Sequence, residues 1–325
     1  MKGRVKARES HRIQVVLDQR VEHNYSSDFR SDQVAIRADE VYGELQPCMD
    51  EINNLIGLSQ VKKFIREIYA WLKVCQKRRS AGLTVDQQVL HMVFTGNPGT
   101  GKTTVARIFG RLFKEMEVLS TGHLVEVERA DLVGEYIGHT AQKTREHVQK
   151  ALGGILFIDE AYSLARGGEK DFGKEAIDTL VKAMEDHKND FVLILAGYPA
   201  EMDRFIRSNP GLPSRFPIKL NFPDFTIQEL IAIGEQMLKE RQYRLSVPAR
   251  EKLKGYLLKE IGRGWNDFGN ARHVRNVLEQ AIRNQAVRLL HSPYPTRDEL
   301  MILRAEDFQF TPEGSSKSHT YSWYT

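Results

Sequence analysis

Cysteine is scarce in this sequence of 325 residues, which contains only Cys48 and Cys75. Two cysteines this far apart do not suggest a disulfide framework, and a chain of this length can bury a core that needs no covalent cross-links. The length also leaves room for two ordinary domains. We therefore expect a protein of the reducing cytoplasm.

Long hydrophobic runs are also missing, because nowhere do 18 apolar residues follow one another. No helix is therefore expected to span a membrane, and the basic residues 1–20 lack the apolar core of a signal peptide. Neither charge is in large excess, since 47 basic and 43 acidic side chains give a net charge of +4. So small an excess does not favour nucleic acid as a partner.

Clusters of metal ligands and nucleophiles are absent from the sequence as well. No His, Cys and Asp residues share the spacing of a metal site, and there is no Ser-His-Asp arrangement. The histidines are scattered, and we interpret four of them as surface or loop residues, namely His123, His139, His147 and His187. A protein on which this chain acts is therefore not expected to be cut by it.

A glycine-rich segment, FTGNPGTGKTT at residues 94–104, stands out in the middle of the chain. It fits the pattern GxxxxGK[ST], in which backbone N–H groups bind phosphate oxygens, the lysine reaches the terminal phosphates and the hydroxyl reaches Mg²⁺. A strand-like apolar run precedes the segment, and a helical pattern follows it, so a helix N-terminus would add partial positive charge. The segment predicts a site for ATP and Mg²⁺ formed by Gly96, Asn97, Pro98, Gly99, Thr100, Gly101, Lys102, Thr103 and Thr104.

A second motif, GGILFIDEAYSLA, places four apolar residues directly before Asp159 and Glu160. Open α/β sheets bind ligands at the carboxyl ends of their strands. We predict that Asp159, together with Thr103, holds Mg²⁺ and that Glu160 orients and deprotonates a water molecule. An ordinary strand end with two solvated acids is the alternative, but the position of Asp159, 57 residues after Lys102, favours the catalytic interpretation.

Strand and helix patterns alternate between residues 90 and 220, which is typical of a parallel sheet with helices on both faces. The five expected strands lie at 90–95, 123–127, 154–158, 191–196 and 217–220. After 222–226 the pattern changes to amphipathic helices at 227–243, 247–261 and 270–291. The sequence thus predicts a P-loop NTPase fold in four parts: a polar, flexible extension (1–45), an α/β nucleotide-binding domain (46–222), an all-helical lid (223–312) and a polar tail (313–325).

The segments GNPGTGKT, ILFIDE and NLIGL together resemble the AAA+ ATPases across roughly residues 50–312. Longer stretches are similar to the branch that contains the red-type rubisco activases and sporulation proteins: YAWLKVCQKR, RADLVGEYIGHTAQKT, GGILFIDEAYSLARGGEKDFGKEAIDTLVKAMED and NPGLPSRFPI. Residues 1–45 carry none of this resemblance. The resemblance implies a hexameric ring with ATP bound between subunits, a protein partner, and a role in spore maturation.

The resemblance also implies roles for individual residues. Ile56 and Gly57 would contact adenine, although a plain turn before a helix explains them too. Arg215 in GLPSRF would be the arginine finger that a subunit offers to its neighbour, because a guanidinium suits the charge that builds on phosphoryl oxygens; the alternative is a surface arginine after a proline turn. Arg272 would act from the lid on the subunit's own nucleotide, with Arg275 as the competing candidate.

Two further sites follow from the same resemblance. Tyr198 stands where the fourth strand of the family usually ends in a polar side chain, often asparagine, so its hydroxyl would reach a water molecule or its ring would simply pack. Tyr136, Ile137 and Gly138 match a pore loop that grips a threaded polypeptide, with packing of Tyr136 on the ATPase core as the alternative. The segment 165–176 is either a second pore ring or a solvated loop.

Three functions are compatible with the sequence. The first is a ring-shaped motor that hydrolyses ATP to remodel a protein, which the trio at 136–138 motivates. The second is a nucleotide-gated scaffold with slow hydrolysis, for which the unusual Tyr198 leaves room. The third is a nucleic-acid machine such as a helicase loader, against which stand the small net charge and the lack of an aromatic and basic stacking surface. We expect the motor.

Overall fold

The structure is a computed structural model that describes residues 45–85, 88–136, 138–166, 172–263, 268–290 and 292–310. The predicted tail, the predicted extension apart from Leu45, and Ile137 lie outside the described residues, as does the centre of the segment 165–176. All described residues belong to one compact unit of the chain. Within them, no helix combines the length and the apolar character that crossing a bilayer requires.

Two helices precede the sheet, α1 (Gln46–Asn54) and α2 (Ser59–Ser80). The apolar residues of α2 recur three or four positions apart, so they form one stripe, and the structure buries that stripe in the core: Val61, Ile65, Ile68, Leu72 and Cys75. The turn between the helices passes through the left-handed region at Gly57 (φ 66°) and Leu58 (φ 54°). This turn brings Leu55, Ile56 and Leu58 to the site described below.

The central sheet has five parallel strands in the order β2-β3-β4-β1-β5, which confirms the predicted fold. Their bounds differ from the predicted ones by at most two residues: β1 (Met92–Gly96), β2 (Leu124–Val127), β3 (Ile155–Ile158), β4 (Val192–Gly197) and β5 (Ile218–Phe222). Strand β3 is buried along its whole length. Because β1 lies between β4 and β5, and β3 lies beside β4, the ends of β1, β3 and β4 meet at one edge of the sheet.

Helices cover both faces of the sheet: α3 (Lys102–Glu115), α4 (Arg129–Leu132), α5 (His139–Ala151), a 3₁₀ turn (Ala161–Ala165), α6 (Gly173–Asp186), α7 (Pro199–Ser208) and α8 (Leu212–Arg215). The core beneath the glycine-rich segment is aromatic. The ring of Phe94 on β1 lies 6.2 Å from that of Phe109 and 4.9 Å from that of Phe222. Such contacts fix β1 relative to α3, and therefore fix the loop that joins them.

The C-terminal part is mainly helical, with α9 (Ile227–Glu240), α10 (Val247–Arg263), α11 (Asn270–Leu290) and α12 (Arg297–Met301). Thr226 and Glu229 form a capping box that begins α9. The structure adds a parallel pair of very short strands, β6 (Arg244–Leu245) and β7 (Ile302–Leu303), and a 3₁₀ turn (Ala305–Asp307). Strands of two residues are too short for an alternating pattern, so the sequence could not reveal them.

A buried histidine, His91, was not among the histidines considered from sequence. It is 2% exposed and packs against the rings of Phe191 and Phe216. Its Nδ1 atom accepts a hydrogen bond of 2.9 Å from the N–H of Leu193. Burial lowers the pKa of His91 from 6.5 to about 4. Of the four histidines predicted to be surface or loop residues, His147 is instead half-buried in α5.

We expect His91 to make the protein less stable at acidic pH. The folded state disfavours protonation of His91, so its contribution is complete above the unfolded pKa of about 6.5 and is lost as the pH falls towards the folded pKa of about 4. The free energy of unfolding should drop by about 2 kcal/mol from this group between about pH 7.5 and about pH 5. Urea denaturation at the two pH values measures the drop.

The matched variant is His91→Gln, whose amide oxygen can accept the bond from Leu193 but which has no titratable group. We expect this variant to lose that part of the pH dependence. Equal pH dependence in the variant and the wild type would show that His91 is not the responsible group.

Candidate functional site

A cleft of about 430 Å³ lies between the carboxyl edge of the sheet and the C-terminal helices. The residues that line it come from distant parts of the chain. The structure brings most of the predicted site residues to this cleft: Ile56, Gly96, Pro98, Gly99, Gly101, Lys102, Thr103, Thr104, Asp159, Glu160, Tyr198, Arg272 and Arg275. Arg215 and Gly57 are not part of its lining, and neither are Asn97 and Thr100, whose side chains bond within the protein instead.

The phosphate loop (residues 96–104) runs from the end of β1 into the first turn of α3. Gly99 (φ 71°) and Gly101 (φ 93°) adopt left-handed conformations that favour glycine. No side chain caps the start of α3, so its first N–H groups remain available to an anion. The ammonium of Lys102 donates to the carbonyl oxygens of Gly96, at 2.8 Å, and Asn97, at 2.9 Å. This geometry is that of a phosphate-binding loop.

Opposite charges meet around Lys102. Burial lowers the pKa of its ammonium, the Asp159 carboxylate opposes that shift, and the Arg272 guanidinium lowers the pKa further. Both cations face the cleft in which the carboxylates of Asp159 and Glu160 also lie. A phosphate group bound here would have two cations as partners, which is a favourable arrangement in a partly desolvated site.

The two carboxylates occupy the end of β3 in different ways. Asp159 directly follows β3 and its N–H donates to the carbonyl oxygen of Val127 at 3.1 Å, while its Oδ1 atom accepts a bond of 2.9 Å from the N–H of Glu160. Glu160 has φ 46° and ψ 43°, a left-handed conformation that costs a non-glycine residue about 1–2 kcal/mol. Non-glycine residues in this region cluster at functional sites. The turn ends β3 at the cleft, where the Glu160 side chain is exposed.

The donor set fits a magnesium ion that arrives with a nucleotide. Thr103 supplies a hydroxyl and Asp159 a carboxylate, which are oxygen ligands of the kind that Mg²⁺ prefers. Across the described parts of the chain, no group of three or more His, Cys, Asp or Glu side chains could hold a metal ion by itself. Mg²⁺ is commonly bound by one or two protein ligands, water and substrate phosphates, so this small donor set is sufficient.

Two tyrosines adjoin Glu160. Tyr198 lines the cleft, and burial followed by the Glu160 carboxylate raises the pKa of its hydroxyl. Sequence reasoning missed Tyr162, whose buried ring lies 6.1 Å from that of Tyr198. Burial first, and then the nearby Glu160 carboxylate, raises the pKa of the Tyr162 hydroxyl to about 12. The signal available in the sequence was that Tyr162 follows Glu160 by two residues, because a tight turn places two such residues close together.

Part of the cleft lining is apolar. Ile56 and Leu58 contribute from the turn after α1, and Ile233 and Met237 contribute from α9. A Cβ atom at Gly57 would overlap the Glu229 carboxylate at the start of α9, so glycine lets this turn approach the C-terminal helices closely. Apolar walls of this kind suit a planar base.

The three predicted arginines differ in location. Arg272 and Arg275 both line the cleft, but it is the charge of Arg272 that influences both Lys102 and Tyr198, which favours Arg272. Arg215 lies at the end of α8. Its guanidinium donates to the carbonyl oxygen of Gly211 at 2.8 Å and forms an ion pair with Glu185 at the end of α6.

The segment before α5 presents an exposed aromatic side chain. Tyr136 is 64% exposed, and its ring has an edge contact of 5.4 Å with the ring of His139. Gly138 has φ 84°, and a Cβ atom there would meet nothing within 4 Å. Ile137 lies outside the described residues. In this structure Tyr136 is therefore not part of the core.

Comparison with known proteins places these features in a family. The sequence model of the ATPase family associated with various cellular activities (AAA) matches residues 92–224, and that of the AAA lid domain matches residues 226–318. Stage V sporulation protein K of Bacillus subtilis is 56% identical over 288 residues, which cover 88% of this chain and 89% of that protein. The chloroplastic ribulose bisphosphate carboxylase/oxygenase activase of Cyanidioschyzon merolae is 46% identical over 268 residues, covering 81% of this chain and 91% of that protein.

Among solved structures, the RuvB Holliday junction branch migration motor of Thermotoga maritima matches with a TM-score of 0.50 and 19% identity, covering 78% of this chain and 67% of that one. At this identity the likeness concerns the fold alone. The identity to the two relatives extends over most of both sequences. The chain belongs to the AAA family of ATPases and carries its lid domain.

Proposed function

We propose that this protein hydrolyses ATP with Mg²⁺ at sites shared between the subunits of a ring. The observation that carries the proposal is that the predicted catalytic residues lie in two separate places. The phosphate loop, both carboxylates and Arg272 meet in one cleft, whereas Arg215 lies outside that cleft and is held by Glu185. An arginine that acts on phosphate but lies outside the nucleotide cleft of its own chain is suited to act in the cleft of a neighbouring copy.

The residues of the cleft divide the work as follows. Lys102 and the loop N–H groups hold the β- and γ-phosphates, and Arg272 adds positive charge from the lid. Thr103 and Asp159 hold Mg²⁺, which supplies charge neutralisation when bound. Glu160 takes a proton from the attacking water, and the Tyr162 hydroxyl orients its carboxylate. Tyr198 lies close enough to Glu160 to align the same water, and Ile56 and Gly57 contact the adenine.

We further propose that hydrolysis drives the remodelling of a protein partner by a hexamer in the cytoplasm. The exposed Tyr136 supports this, because an aromatic side chain that projects from the core two residues before the left-handed Gly138 is available to contact a partner. The trio Tyr136, Ile137 and Gly138 would grip that partner in the pore, with the segment 165–176 as a second ring. The similarity to stage V sporulation protein K motivates a role in spore maturation. The domain limits 46–222 and 223–312 are part of this proposal.

Tyr136→Ala should uncouple the two activities. We expect ATP hydrolysis within about twofold of wild type, because Tyr136 lies outside the cleft, and unfolding of a substrate at least about tenfold slower, because the gripping contact is lost. The measurement follows the ATP-driven loss of fluorescence from a destabilised fluorescent protein with an unstructured tail. Val247→Ala, which truncates another exposed apolar side chain, in the lid, is the control. Unchanged unfolding by Tyr136→Ala would refute threading.

A nucleotide-gated scaffold is the second candidate, because Tyr198 stands where an amide usually aligns the water. The motor and the scaffold would bind ATP in the same cleft but would hydrolyse it at different rates. Assembly that depends on ATP but shows no stimulation of hydrolysis by a protein substrate would favour the scaffold. Stimulation of hydrolysis by DNA that weakens as salt is added would favour a nucleic-acid machine instead.

A further inference from the structure

Three side chains join the phosphate loop to the lid: Asn97, Asp224 and Asn270. The amide of Asn97 donates to both carboxylate oxygens of Asp224, at 3.0 and 2.9 Å. The amide of Asn270 donates to the same carboxylate at 2.8 Å. Asp224 belongs to the segment between β5 and α9. Along the chain it therefore lies between the phosphate loop and the start of α11, to both of which it is bonded. We call these three side chains the loop–lid junction.

Asn270 is the first residue of α11, and the structure holds it tightly. It is fully buried, with φ 46° in the left-handed region that Asn tolerates better than most residues. Its Oδ1 atom accepts from the N–H of Phe225 at 3.1 Å, and its Nδ2 atom also donates to the carbonyl oxygen of Pro98 at 3.3 Å. The start of α11 is therefore fixed to the phosphate loop and to the segment after β5.

The backbone strengthens this attachment. The N–H of Ala271 donates to the carbonyl oxygen of Gly99 at 3.2 Å, so the phosphate loop supplies an acceptor that the first turn of a helix lacks. A Cβ atom at Gly99 would overlap the carbonyl group of Gly269. Loop and helix touch directly at this point, and Arg272 enters the cleft one residue after Ala271.

We propose that the loop–lid junction couples phosphate binding to the position of the lid, with Asp224 and Asn270 as positioning residues for Arg272. The inference rests on the proposed binding of ATP at the phosphate loop. Asn97 belongs to the loop that wraps the phosphates, so a change of the loop moves its amide relative to Asp224. Asn270 and the start of α11 follow through the same carboxylate. A carboxylate suits this role, because it is an acceptor only and can receive both amide groups at once.

Asp224→Asn in the full chain tests the coupling, because an amide turns one acceptor oxygen into a donor that faces another amide. We expect a fluorescent ATP analogue still to bind within about threefold of wild type, because the loop N–H groups and Lys102 are intact. Added nucleotide should slow hydrogen exchange at the start of α11 in the wild type but not in the variant, and kcat should fall about tenfold. Asn97→Ala, which breaks only the loop side of the junction, should lose the same protection.

A double substitution separates positioning from a merely structural role. Because Asp224 acts through Arg272, Asp224→Asn should lower turnover no further in an Arg272→Ala background. The matched control is Asp298→Asn, which removes an exposed carboxylate paired with Arg244 in the lid and should retain wild-type exchange and turnover.

Nucleotide-dependent protection of α11 that survives in Asp224→Asn would overturn the coupling. The coupling would also be overturned if the loss of turnover caused by Asp224→Asn added in full to the loss caused by Arg272→Ala. A wild-type chain that binds no fluorescent ATP analogue would overturn the proposed function and the coupling with it, and that failure is distinguishable because it appears before any substitution is made.

Discussion

Glu160→Gln should leave the protein able to bind ATP but lower its hydrolysis about a thousandfold, within the range that a general base contributes. The amide keeps the size and shape of the side chain, but it cannot take a proton from water. Lys102, Thr103 and Asp159 are unchanged, so the affinity for ATP should stay close to that of the wild type. The expected product is a subunit that holds ATP without turning it over.

The measurement combines steady-state release of phosphate with equilibrium binding of a fluorescent ATP analogue. Glu126→Gln is the control, because Glu126 on β2 pairs with Arg107 outside the cleft and its loss should leave turnover unchanged. Hydrolysis by Glu160→Gln at the wild-type rate would show that the base is a different residue.

Arg215→Ala should have an effect of similar size for a different reason. An arginine that meets the γ-phosphate stabilises charge that builds in the transition state, and its removal typically costs about a thousandfold or more in turnover. Arg215 is outside the cleft of its own chain, so we expect binding of ATP to remain. Lys182→Ala, which removes a cation from α6, the helix that carries Glu185, is the matched control.

Glu185 helps to hold the guanidinium of Arg215 in position. The Glu185 carboxylate accepts from Nη2 of Arg215 and the Gly211 carbonyl oxygen accepts from Nη1. A guanidinium has five N–H donors, so others remain for a phosphate. Turnover by Arg215→Ala at the wild-type rate, under conditions in which the subunits assemble, would mean that each chain completes its own site.

The parts of the fold that depend on local sequence could be predicted from it. The five strands are short apolar runs, and glycine at residues 99 and 101 is needed for left-handed turns before a helix, so both leave a pattern within a few residues. Asp159 and Glu160 could be predicted for the same reason, because they end such a run. That these groups meet followed from the parallel order of the strands.

The features that depend on distant contacts could not be predicted. Asp224 bonds Asn97 and Asn270, which are 127 and 46 residues away along the chain, and no local pattern marks it. His91 precedes β1 in an unremarkable run, and its burial arises from rings contributed by Phe191 and Phe216. The ion pair of Arg215 with Glu185 joins two helices in the same way. Such residues can be identified only from the folded structure.

Mixing Glu160→Gln with Arg215→Ala tests most directly whether the catalytic site is shared between subunits. Each variant alone should be nearly inactive. In a mixed ring, an Arg215→Ala subunit keeps its phosphate loop and Glu160, while a neighbouring Glu160→Gln subunit supplies Arg215, so complete sites form where the two meet. The account predicts that turnover, measured against the mixing ratio, rises from both ends to a maximum near equal amounts. Turnover that stays at the level of the separate variants at every ratio would contradict it.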